Sequence, residues 1–228
     1  MANNCLVTKL KTVVDNPNLP ELNTLQVTLT VANDPYFAIQ WSNYKASGNK
    51  GDVKTADGEH TWTNVWGITT EDLTDIPAGT VFKFKPKSTL INVCMRQCTE
   101  DISFIKCCPV LEKIFLRAGA GHFMTGNLDD ALSGKNKMYQ VDIQYQSRLT
   151  GTIAAIAGAL NPNASQYSIN VGSTSITGNL SVFENLTPST ASTLYVSGSS
   201  GIKCSQATLA TLRAHNWTVT IDASQMTD

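Results

Sequence analysis

Four cysteines, Cys94, Cys98, Cys107 and Cys108, lie close together and are the residues best able to do chemistry in this chain. Four thiolates can hold Zn²⁺ tetrahedrally, usually from paired C-x₂₋₄-C knuckles. Here three residues, then eight, then none separate successive cysteines. Adjacent Cys107 and Cys108 would also point to opposite faces of a strand. The spacing favours structural thiols over a metal site, with a disulfide left open. Cys5 and Cys204 complete a set of six, in a chain too large to need stapling.

The other reactive side chains form no constellation. His60, His122 and His215 are far apart, and His122 closes the Gly-rich run Ala118-Gly-Ala-Gly-His, which lacks phosphate-loop spacing. Glu71-Asp72 and Asp129-Asp130 are adjacent carboxylates of the kind that start helices or sit in solvent. They lack the oxygen-rich surroundings of a calcium loop. Neither a Gly-x-Ser-x-Gly elbow nor a zincin-type His-Glu motif occurs. The expectation is a protein that is not an enzyme, with no catalytic residue, cofactor or metal ligand. Tyr36, Phe37, Trp41, Tyr44, Trp62 and Trp66 crowd one segment. They suit either a sugar- or partner-binding patch or an N-terminal core, with Phe37 and Ile39 read as core.

The composition says what must position such residues. Of 228 residues, 42 % are hydrophobic and only 15 % charged, so Ser, Thr, Asn and Gly supply most of the polarity. That balance favours strands and turns. A net charge of −1 gives no electrostatic footprint for nucleic acid. Lys83, Lys85 and Lys87 alternate as one solvated strand face would. The first residues lack an apolar core of signal-peptide length, and no stretch is long enough to cross a bilayer. The expectation is synthesis in a cytoplasm, without membrane insertion.

The first hundred residues read as short strands. Leu25–Val31 alternates apolar and polar residues; Tyr36–Trp41, Thr61–Trp66, Thr80–Lys85 and Thr89–Cys94 follow it. Ser47–Glu59, with three glycines and several charges, reads as an exposed loop, and Asp75-Ile-Pro-Ala-Gly79 as a turn. Residues 1–112 are expected to hold an N-terminal attachment segment and a small β-sandwich or barrel-like domain.

Residues 113–228 repeat themselves. Met124-Thr-Gly-Asn-Leu, Leu149-Thr-Gly-Thr-Ile and Ile176-Thr-Gly-Asn-Leu share one pattern, with a decayed copy at Ile202; the intervals are 25, 27 and 26 residues. Strand segments Ile114–Leu116, Val141–Tyr145, Tyr167–Val171, Leu194–Val196 and Trp217–Ile221 recur in the other phase. One unit cannot bury its apolar side alone, but stacking would give a parallel sheet closed by return arms. Ser205 is positioned to cap a helix over Gln206–Ala214, with Asn216 ending it. From Tyr167 to Leu186 the chain resembles a leucine-rich repeat, a likeness that runs from about Ile114 to Ile221. The inner-turn Asn of that family is replaced by Thr174 and Ser199, whose hydroxyls can bond the same backbone groups less fully. The fold class expected is mainly β with minor α content: the N-terminal β domain, then a short leucine-rich-repeat-like solenoid with a helical C-terminal cap.

The opening Met1-Ala-Asn-Asn-Cys-Leu-Val-Thr-Lys-Leu-Lys, with Asp15-Asn-Pro-Asn-Leu-Pro-Glu-Leu, resembles that of structural proteins of Bacteroides phages, including the crAss-like group. This resemblance implies a virion component such as a capsid-attached head fibre, decoration protein or tail-associated protein. Its partners would be other virion proteins and further copies of itself in a homo-oligomer, with a host surface glycan or protein as the outward target. The alternative expectation is a bacterial leucine-rich-repeat adhesin or interaction module.

Overall fold

The structure, a computed structural model, describes residues 25–28, 38–41, 51–65, 67–84, 90–94, 101–118 and 123–227. The fold is mainly β with few helices. The strands of the first hundred residues are β1 (Leu25–Thr28), β2 (Ala38–Trp41), β3 (Gly51–Thr55), β4 (Thr61–Val65), β5 (Gly67–Thr69), β6 (Val81–Phe84) and β7 (Leu90–Cys94). They divide between two sheets. An antiparallel sheet has the order β1-β6-β3-β4, while β2, β5 and β7 join a second sheet of eight strands.

In the antiparallel sheet, Phe82 and Phe84 alternate inward from β6 and are buried. Strand β3 corrects the loop expected over Ser47–Glu59. Val53 and Thr55 point to the core while Asp52 and Lys54 are exposed, a period-two pattern that the flanking glycines and charges obscured. The Asp75–Gly79 turn forms as expected, with φ of 66° at Asp75 and 92° at Gly79.

The larger sheet continues through β8 (Lys113–Phe115), β10 (Gln140–Asp142), β12 (Ser168–Asn170), β14 (Ser192–Tyr195) and β16 (Trp217–Thr220). From β7 onward every neighbouring pair is parallel. One row of inward residues crosses all eight strands in register: Ile68, Ile39, Val93, Ile114, Val141, Ile169, Leu194 and Val219. The row passes through the 112/113 division, since β7 pairs directly with β8. β-Branched residues dominate it because they fit a pleated, packed surface.

Opposite this sheet, short parallel ladders pair β9 (Gly126–Asn127) with β11 (Leu149–Thr150), and β13 (Gly178–Asn179) with β15 (Ile202–Lys203). Single bridges Asp101–Thr125, Thr152–Thr177 and Cys204–Met226 extend the same arrangement. A return arm follows each crossing: a 3-10 turn at Ile102–Cys107, α1 (Leu128–Ala131), α2 (Ile153–Ala159), a 3-10 turn at Leu180–Phe183 and α3 (Gln206–Ala214). Asp101, Asn127, Thr152, Asn179 and Ser205 each sit in extended conformation before their arm and accept a backbone N–H from it. Such a cap contributes about 1 kcal/mol. The expected helix Gln206–Ala214 and its Ser205 cap are present, and Asn216 turns the chain at φ 64°.

The Thr-Gly marker has a steric reason. Gly126, Gly151 and Gly178 have φ of 109°, 119° and 124°, and a Cβ on Gly151 would come within 2.7 Å of Asp129 Oδ2. Inside the turns that follow the large-sheet strands, Gln146, Thr174, Ser199 and Gln225 are buried. Ser199 Oγ accepts the Thr174 N–H at 2.9 Å and donates to Val171 O at 2.7 Å. Gln146 Oε1 accepts the Met124 N–H and its amide donates to Leu116 O, both at 2.7 Å. Gln225 donates to the carbonyls of Val196, Ser199 and Ile202. The hydroxyl substitution expected at Thr174 and Ser199 is therefore one half of a polar column, and two glutamines supply the other half.

Candidate functional site

Where β8 to β16 send one residue inward they send the next outward, and the outward residues form an ordered face. Its centre is an ion pair across neighbouring strands. Arg117 Nε donates to both oxygens of Asp142 at 3.0 Å, and Nη2 donates to Oδ2 at 2.7 Å. The guanidinium also lies 4.8 Å from the Phe115 ring centroid. Asp142 Oδ1 accepts the Gln144 N–H at 3.3 Å, and Asn170 Nδ2 donates to Gln144 Oε1 at 3.2 Å. At the other end of the sheet Asn92 Nδ2 donates to Gln40 Oε1 at 2.7 Å. These bonds hold the polar side chains in fixed positions, because each donor is bound to an acceptor on its own or the next strand.

Beyond Asn170 the outward position is Gly172, which leaves a gap in the row. The Tyr195 ring fills it: a Cβ on Gly172 would approach Tyr195 Cε1 within 2.4 Å. Tyr145 also reaches this backbone, donating its N–H to Gly172 O at 2.9 Å. Its side chain is 51 % exposed and its φ is 66°. Ser173 and Gly198 occupy the corresponding turn positions in the next two units, with φ of 56° and 81°. At one rim Lys113 Nζ stands 5.1 Å from the Tyr139 ring centroid.

Asp222 closes the far end. Its carboxylate accepts Ser197 Oγ–H and the Gly198 N–H, which holds its pKa below the usual carboxylate range. Asp57, in the β3–β4 hairpin, is lowered in the same way by Thr55 Oγ–H and the Glu59 N–H. Burial pushes the Tyr167 phenol up, and its hydroxyl donates to Asn161 O at 2.7 Å.

Cys108 is buried, as is Cys204, while Cys5, Cys98 and the side chains of Cys94 and Cys107 lie outside the described residues. Among the described residues no group of three His, Cys, Asp or Glu could hold a metal ion. His60 stacks on Trp62 at 6.1 Å, His215 follows α3, and His122 lies outside the described residues. Glu71 and Asp72 occupy the first turn of the 3-10 helix Thr70–Leu73, and Asp129 and Asp130 the first turn of α1. Both are helix-start carboxylates, as the sequence indicated. Trp62 is half-buried and stacks on Phe82 at 5.9 Å, so it packs against the core. Ile39 is buried as expected; Tyr36, Phe37, Tyr44, Trp66 and the Trp41 side chain lie outside the described residues, as do Lys85 and Lys87.

The Arg117–Asp142 pair went unnoticed in the sequence, although a signal was available. The two residues are 25 apart, one repeat, and both fall on outward positions of the strand phase. No helix among the described residues is long and apolar enough to cross a membrane. No family model, curated protein or solved structure matches this chain.

Proposed function

We propose that this chain is a non-enzymatic virion structural protein, a capsid-attached head fibre or decoration protein that presents a leucine-rich-repeat-like solenoid outward for binding. In this reading residues 1–112 supply attachment and residues 113–228 form the presented part. The parallel strands, the opposed short ladders and the capped return arms are the geometry a solenoid requires. The observation that carries the binding role is the outward strand face, whose side chains are fixed by the Arg117–Asp142–Gln144–Asn170 bonds. A pre-ordered polar surface loses little entropy when a ligand docks. The virion role rests on the resemblance of the N-terminal segment, and symmetric copies on a particle are the usual form of such proteins.

Peptide mass spectrometry on gradient-purified particles, with cryo-electron microscopy of the same sample, tests the proposal. Stoichiometric peptides and density on the capsid are expected. Absence of the polypeptide from particles would discard the virion role and move the bacterial adhesin reading to first place.

A further inference from the structure

We propose that the outward strand face around Gly172 is a binding site for a neutral saccharide. The assignment rests on the reading of these strands as an outward-facing binding module, and it adds the chemistry of the ligand. Three observations lead to it.

The first is charge. Arg117 and Asp142 are already joined by three hydrogen bonds, so the centre of the face presents a compensated pair. A phosphate or acidic polymer reaching the guanidinium would meet the Asp142 carboxylate beside it, which repels it. A ligand without charge can accept from and donate to the pair's remaining surface while leaving it intact. The second is polarity. Between Lys113 at one rim and Asp222 at the far end, the outward positions past the pair carry mostly amides and hydroxyls, from Asn170 and Gln144 to Thr193 and Thr218. They offer both donors and acceptors, as a polyol does, and form no apolar stripe to seat an amphipathic helix.

The third is the placing of two tyrosines on one glycine. The Tyr195 ring lies against Gly172, and the backbone N–H of Tyr145 is bonded to its carbonyl, which sets the Tyr145 backbone beside the same glycine. Tyr145 occupies a left-handed position where a bulky residue is strained and where the same turn two units on has Gly198. The Tyr145 side chain is only half buried, so a large part of it stays open to solvent. An aromatic retained at a conformational cost beside an ordered polar network is suited to stack on the C–H face of a sugar ring, with the amides meeting the hydroxyls.

The test is to probe an array of immobilised neutral and acidic oligosaccharides with the labelled full chain, then repeat it with variants. Binding confined to neutral members and little changed by salt is expected. Tyr145→Gly should raise the thermal midpoint while weakening binding about tenfold, the scale of a central aromatic contact. Asn170→Ala should weaken binding similarly, and Tyr195→Phe should retain it. A purely structural role for Tyr145 predicts a stabler protein with unchanged binding, which would overturn the assignment. So would recognition of acidic members only, or a blank array from the folded full chain. Particle composition is read separately: a chain found on virions with a blank array removes the saccharide assignment alone. A chain that binds neutral glycans but is absent from virions keeps the assignment and removes the virion role.

Discussion

The antiparallel sheet of β1, β3, β4 and β6 and the parallel array from β7 to β16 use the same residue types under different rules. In the antiparallel part a polar or glycine residue answers to its own hairpin. Thr55 Oγ accepts the His60 N–H at 3.0 Å and donates to Asp57, all within a few residues. In the parallel part the partner is one repeat away, or two in the case of Tyr167 and Trp217. Tyr167 stacks on Trp217 at 5.3 Å, and Ser199 bonds Thr174 across 25 residues. A substitution in the hairpin is therefore a local event, whereas one in the array disturbs two units together.

The sharpest test of that difference uses the tryptophans. Trp217 is buried, stacks on Tyr167, packs at 5.6 Å against Phe183 and donates its indole N–H to Leu186 O at 3.1 Å. Trp217→Ala should cost about 3–5 kcal/mol, the range for removing a large aromatic from a core. Trp62 is half-buried and rests on Phe82. Trp62→Ala should cost clearly less, about 1–2 kcal/mol on the area scale. Urea denaturation of both variants measures the gap. Equal losses would break the comparison.

The buried amide comes next. Gln225 bonds three carbonyls and accepts the Asp222 N–H at 2.9 Å. Gln225→Leu should destabilise by about 1–3 kcal/mol, the cost of leaving buried polar groups unmatched. Hydrogen exchange should then show loss of protection on the Val196–Ile202 turn as well as the last unit. Loss confined to the last unit would mean that the column does not couple neighbours.

Glycines divide in the same way. Gly58 has φ 81° with nothing within 4 Å of an added Cβ, so Gly58→Ala meets only the backbone penalty of about 1 kcal/mol. Gly151 has φ 119° and is crowded by Asp129 and by Leu128 N at 3.0 Å. Gly151→Ala should cost about 2–3 kcal/mol, since backbone strain and overpacking add. Thermal melts of the pair decide whether the marker glycine is held by its neighbouring unit.

These contrasts also explain what could be read from the sequence. Regular period made the array legible: the strand segments between the Thr-Gly markers placed β8, β10, β12, β14 and β16, and Ser205 with Asn216 bounded α3. Strand β7 pairs in parallel with β8 and so extends the array forward, yet the sequence Cys98-Thr-Glu-Asp-Ile lacks the marker because Glu100 stands where the later copies have Gly. Asp caps an arm as well as Asn does, so chemistry was kept while the pattern was lost. Gln146 and Gln225 were hidden for a similar reason. Gln146 stands at the register position of Thr174 and Ser199 but carries a long amide that reaches Leu116 O, while Gln225 reaches Val196 O; the hydroxyls both serve Val171 O. The division of the early strands between two sheets left no trace, because alternation fixes which face is buried but not which strand is the neighbour.

The smallest expected effect separates the two rules most cleanly. Asp57 and Asp222 both lie below the ordinary carboxylate range, each held there by one hydroxyl and one backbone N–H. A carboxylate whose pKa is depressed in the folded state stabilises the fold above its unfolded pKa, and that contribution is lost as pH falls through the folded value. Both should therefore act at neutral pH and fade below about pH 4, the ordinary value for Asp. Asp57 is exposed and Asp222 partly so, and both lie at the surface, so the change in stability should be small and reduced by salt. They differ in what protonation loosens. The partners of Asp57, Thr55 and Glu59, are in its own hairpin. Those of Asp222, Ser197 and Gly198, belong to the preceding unit. Asp57→Asn should flatten the acid limb of the stability curve while altering exchange only around the β3–β4 turn. Asp222→Asn should flatten it to a similar degree and also speed exchange at Gly198, one unit away. If both variants change only their own turns, the coupling between units is carried by the buried column and the core, and the surface carboxylate merely decorates the turn it sits on.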